Sequence, residues 1–111
     1  MESKIQHDLI VTIVNKGDAE KVVDASRKAG AEGGTILLGR GTGIHEQTRL
    51  FGIIIEPQKD VVLTLVKRSI SDQVLEAIVA RTELNKPGRG IAYVIPVDRV
   101  AGITHLKPGE E

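Results

Sequence analysis

Thr35-Ile36-Leu37-Leu38-Gly39-Arg40-Gly41-Thr42-Gly43 is an apolar run that breaks into a glycine-rich turn. Its counterpart, Pro87-Gly88-Arg89-Gly90, leads the other way, from a turn into the apolar run 91–95. Both apolar runs read as strands, so each turn sits at a strand end. Glycine lets the backbone take positive φ and approach a ligand closely. Successive N–H groups in such a turn form a concavity that holds anions. Two such turns, each with an arginine, point to a phosphate-bearing ligand between strand ends. Either turn alone is also what an ordinary tight turn looks like.

Outward from these turns, the order of elements emerges. Residues 9–14 are a β-branched run and read as a strand. Gly17-Asp18-Ala19-Glu20 opens a helix, with its acidic residues facing the positive end of the dipole. Ala19, Val22, Val23, Ser26 and Ala29 recur at helical spacing. Residues 61–66 read as a third strand, with Thr64 polar among aliphatic neighbours. Ser69 to Ser71 resembles a cap for a second helix running to about Glu83, striped by Val74, Leu75, Ile78 and Val79. The run 91–95 is the fourth strand, and 102–106 reads as a last short one. Between strands two and three, residues 40–58 form a long connection, with Ile53 to Ile55 read as an extension of the following strand. Connections of this length are usually functional or mobile. The tail 107–111 reads as frayed.

Strand, helix, strand, strand, helix, strand is an α+β pattern, the ferredoxin-like βαββαβ. It predicts an antiparallel four-stranded sheet with both helices on one face, as a single domain over 1–111. The third strand is apolar on both sides, and a strand of that kind is buried on both sides. The second sheet face therefore needs a cover. A second copy of the chain is the simplest one, and a homotrimer around an axis is expected.

Composition narrows the function. Fifteen basic and 15 acidic residues give a net charge of +0, which does not favour attraction to nucleic acid. Aromatic residues make up 2% of the chain, too few for a base-stacking surface. The core must be built from Ile, Val, Leu and Ala. No apolar stretch has the length of a membrane span, and Met1-Glu2-Ser3-Lys4 has no signal-peptide pattern, so a cytoplasmic protein is expected. With no cysteine, disulfides and thiolate metal sites are excluded. His45-Glu46 is one imidazole–carboxylate pair, which is not a site by itself, and no metal is expected. His7 and His105 read as surface residues. No nucleophile elbow, Walker pattern or split carboxylate pair is present, so the chain does not read as an enzyme.

The chain resembles the PII signal-transduction family, in its divergent PII-like branch, over roughly residues 9–104. The residues that carry the resemblance are Gly33-Gly34-Thr35, the 39–43 turn, Lys59 with the strand that follows, Pro87-Gly88-Arg89-Gly90, and Ile95 to Val100. The resemblance implies a homotrimer of ferredoxin-like subunits that binds an adenine nucleotide between subunits. A loop then signals the nucleotide state to a regulated partner such as a membrane transporter or an enzyme. By position, Thr35 and Leu65 would line the adenine pocket. Arg40, Gly41, Gly43 and Ile44 would lie at the loop base near phosphate, and Gly88, Arg89 and Gly90 would make the second phosphate contact. Gly102 and Thr104 would reach the ligand from the neighbouring subunit.

The departures from the family pattern set the ligand. Ile91 stands where the family has a lysine, and Gly102 and Thr104 replace a basic pair. Each lost cation removes a charge-assisted bond of about 1.5–3 kcal/mol, so ADP, AMP or a cyclic nucleotide is expected over ATP. The family's glutamine after Gly43 is missing, with Gln47 out of register, so 2-oxoglutarate sensing is not expected. The loop residues His45, Glu46, Gln47, Arg49 and Phe51 form the expected partner surface. Two other readings share the fold: a metal-binding trimer of the copper-tolerance type, and a small acylphosphatase-like enzyme using Asn15.

Overall fold

A computed structural model of the chain describes residues 5–42 and 48–102. The β-branched run of the first strand becomes β1, His7–Asn15. Side chains alternate along a strand. Ile10, Thr12 and Val14 turn to one face and are fully buried, while Leu9, Val11 and Ile13 turn to the other. Helix α1, Ala19–Lys28, follows and buries Ala19, Val22, Ala25 and Ser26. The chain continues through β2, Thr35–Arg40, β3, Thr48–Leu50, β4, Ile53–Ile55, and β5, Gln58–Lys67. Helix α2, Ser71–Thr82, buries Ser71, Val74, Ile78 and Thr82. The last strand is β6, Gly90–Val97.

Four strands make one sheet in the order β2-β5-β1-β6, and each neighbouring pair is antiparallel. Both helices cover the same face. Val22 of α1 and Val74 and Ile78 of α2 join Ile10, Val14, Val62 and Val66 of the sheet in one core cluster. Each fully buried aliphatic side chain of this kind contributes about 2 kcal/mol of transfer free energy. The architecture is the expected ferredoxin-like one. Its other sheet face carries Val11, Leu63 and Tyr93 across the middle, with Leu37, Leu65, Ile91 and Ile95 around them. Among the described residues no helix covers this face, and Leu37, Leu65, Ile91, Tyr93 and Ile95 are each 39–56% exposed.

Three local readings change. Ile53 to Ile55 does not extend β5. It pairs with β3 as a separate two-stranded hairpin, Thr48 opposite Ile55 and Leu50 opposite Ile53. Phe51 and Gly52 turn that hairpin with φ of 52° and 79°, the two positive values of a type I′ turn. Pro57 follows β4 and has no N–H to continue a ladder. The 40–58 connection therefore contains regular structure.

The second change is His7. Strand β1 starts two residues earlier than expected and draws His7 in, so it is 5% exposed rather than a surface residue. Its Nδ1 donates to the Ile5 carbonyl at 2.8 Å. The third is the start of α2. No side chain caps it, and a short 3-10 turn over Arg68–Ile70 leads in. Ser71 is buried and its side chain hydrogen-bonds to Asp8. Of the expected last strand 102–106, only Gly102 lies among the described residues, and it is not in a strand. His105 lies outside them.

Asp8 organises the end of the sheet remote from the glycine turns. Arg68 Nε donates to Asp8 Oδ1 at 2.9 Å, and Nη2 donates to the His7 carbonyl at 3.2 Å. Burial works against the ionised carboxylate. The hydrogen bonds from Arg68 and Ser71, with the positive charge of Arg68, outweigh it and hold the Asp8 pKa below its ordinary value. A lowered folded-state pKa adds stability that is present above the unfolded value of about 3.9 and lost as pH falls through the folded value. Asp8→Asn is expected to cost about 2 kcal/mol at pH 7. Urea unfolding should show its difference from wild type shrinking below about pH 4. A difference independent of pH would mean that Asp8 is not held as the anion.

Candidate functional site

Strands β2 and β1 end, and β5 and β6 begin, at one end of the sheet. The register places Lys59 between Gly39 and Asn15, and Gly90 opposite Val14. Both glycine turns thus lie at this end, on opposite edge strands. Three strand spacings put them roughly 14 Å apart within one chain.

A polar chain ties β5 and β1 to the second turn. Lys59 Nζ donates to Asn15 Oδ1 at 2.9 Å, and Asn15 Nδ2 donates to the Gly88 carbonyl at 2.9 Å. Lys59 is buried, which lysine tolerates only when paired. Strand alternation turns it to the uncovered face of the sheet and turns the next residue, Asp60, to the helix side. There Asp60 Oδ2 accepts the N–H groups of Gly17 at 2.9 Å and Ala19 at 3.3 Å. Asp18, at the N-cap of α1, makes no side-chain cap bond. A strand residue over forty positions away caps the helix in its place.

At this edge of the sheet, Lys16, Leu38, Arg40, Gln58, Lys59 and Asp60 line an open groove of about 470 Å³ beside Gly39. Among the described residues, Lys16 and Arg40 have no ion-pair partner. The second turn is tied down more firmly. Glu83, just past α2, accepts from Lys86 Nζ at 3.0 Å and lies 3.5 Å from Arg89 Nη2. The Lys86 hydrogen bond and charge, and then the Arg89 charge, hold the Glu83 carboxyl below its ordinary value. Gly90 begins β6 with φ of 138°, and a Cβ at this position would run into the Ile13 carbonyl.

Only some of the expected site residues come together. Thr35 and Leu65 are near neighbours on the uncovered sheet face, since Thr35 pairs with Leu63. Arg40 points with Ile36 and Leu38 to the opposite side, into the groove with Lys16. The alternation of β2 carried that signal. Gly41 closes the last rung of the β2–β5 ladder, its N–H donating to the Pro57 carbonyl at 3.2 Å. Gly88, Arg89 and Gly90 are grouped across the end of the sheet. Gly102 follows β6, whose other end at Val97 lies roughly 23 Å along the strand from Gly90. Gly43, Ile44, His45, Glu46, Gln47 and Thr104 lie outside the described residues. Arg49 is in β3, and Phe51 stands at the hairpin tip, 94% exposed.

The bridging role of Asn15 and the counter-ion role of Glu83 are additions that the sequence did not suggest, because both depend on pairings between distant residues. Asn15 is held at both ends of its amide, which leaves it poorly placed for acylphosphatase-like chemistry. Among the described residues, no group of three His, Cys, Asp or Glu side chains is placed to hold a metal. No helix of the described chain is long and apolar enough to cross a membrane.

The description "Nitrogen regulatory protein P-II" belongs to the family model that matches residues 7–107. No curated protein matches the chain. The match spans every strand and helix of the sheet domain and both glycine turns, and the chain belongs to the P-II nitrogen regulatory protein family of signal-transduction regulators.

Proposed function

We propose that this regulator is a homotrimer that senses an adenine nucleotide in clefts between its subunits. The observation that carries the reading is the end of the sheet. Two arginine-bearing glycine turns lie there at the rim of an uncovered apolar face, the second tied through Asn15 to Lys59. Copies packed on that face would set the turns of one chain beside the far end of another, where Gly102 follows β6. ADP, AMP or a cyclic nucleotide fits better than ATP, because Ile91, Gly102 and Thr104 supply no cation. The hairpin tip, with Phe51 and Ile53 exposed, supports a docking role toward a regulated protein, such as a membrane transporter, from the cytoplasmic side.

Isothermal titration of the full chain with cyclic AMP, AMP, ADP and ATP tests this. Binding of at least one nucleotide is expected, with ATP the weakest. Arg89→Ala is expected to weaken it about tenfold, the loss of one charge-assisted bond. Absence of heat with all four at millimolar concentration refutes the reading.

A further inference from the structure

The residue just past a helix end that turns left-handed is by preference glycine, because a Cβ crowds the backbone there. At the end of α2 that residue is Glu83, with φ 55° and ψ 43°. Among the described residues only Phe51 shares this non-glycine positive φ. Glycine would make the same turn with less strain, so the backbone does not account for the glutamate. An outlier of this kind is a reason to look for function.

The side chain supplies one. Its carboxylate engages both Lys86, just before the second glycine turn, and Arg89 within it. Glu83 and Arg89 are each 47% exposed, and an exposed pair adds little to stability. The contact is also within reach of any phosphate that enters the turn.

We propose that Glu83 is a specificity-determining residue: its carboxylate occupies Lys86 and Arg89 until a phosphate displaces it, and so favours nucleotides of low charge. This rests on the nucleotide reading above. Displacing the carboxylate costs much the same for every ligand. The repulsion that remains grows with ligand charge, which rises from cyclic AMP through AMP and ADP to ATP. Glu83 therefore acts on the ratio of affinities as well as on their level.

Wild type, Glu83→Gln and Glu83→Gly, each as the full chain, are titrated with the four nucleotides without magnesium. Glu83→Gln is expected to bind all four nucleotides more tightly than wild type does, and ATP by roughly fivefold more than AMP, the effect of one exposed charge contact. Its affinity for ATP should also fall more steeply with salt. Glu83→Gly should show the same change in ratio and a higher Tm, since it alone releases the left-handed strain. A Glu83→Gln variant with the wild-type ATP-to-AMP ratio overturns the proposal while leaving nucleotide binding intact. A wild-type chain that binds none of the four overturns both.

Discussion

Gly90→Ala is expected to cost the fold about 3 kcal/mol or more. Two costs add. A φ of 138° is a region that side chains rarely occupy, at about 1–3 kcal/mol. The new Cβ would also drive into the Ile13 carbonyl, with the Leu84 side chain against it as well. Overpacking against backbone costs about 1–3 kcal/mol more. Neither neighbour can yield easily, because Ile13 belongs to central strand β1. Chemical denaturation measures the loss directly. A variant within about 0.5 kcal/mol of wild type, the range of an inert surface change, would contradict this account. Folding alone thus demands a glycine at 90, with or without a ligand. Gly88, with a φ of 79°, has nothing within 4 Å of where a Cβ would stand, so its substitution involves conformation and not collision.

Ile95→Glu is expected to leave the subunit folded and to take the assembly apart. Ile95 is 44% exposed on the uncovered face, so a charge there costs a single chain little. In a trimer packed on that face, the same carboxylate would be buried without a partner, at roughly 3 kcal/mol or more for each interface. Sedimentation should report three times the 12.0 kDa chain for wild type and one chain for the variant. Nucleotide binding should disappear with the trimer, although Ile95 is far from both glycine turns. A variant of unchanged mass would mean that the uncovered face is not the interface. A monomer that still binds nucleotide with wild-type affinity would mean that one chain suffices for the site.

The fold was legible because its signals are local. β-branched runs, helical spacing and glycine punctuation gave four strands and two helices in order, and the apolar character of residues 61–66 on both sides implied the uncovered face. The type I′ hairpin was missed because Phe51 is an unusual residue for a left-handed position; Gly52 was the available clue. The site was less legible. Asp60 capping α1, Lys59 bridging to Asn15 and Glu83 holding Arg89 each depend on a register or a turn geometry that no short window contains. Strand alternation, by contrast, is readable locally: five residues along β2 place the Thr35 and Arg40 side chains on opposite faces.

Lys59 and Asp60 have a mechanical consequence. They are consecutive, they face opposite ways, and each is anchored, one through Asn15 to the second glycine turn and the other to the start of α1. The foot of the hairpin segment is therefore an abutment braced from both sides. The last described rung before the hairpin is the single Gly41–Pro57 bond. A load on the abutment would therefore be shared between the sheet rim and helix α1.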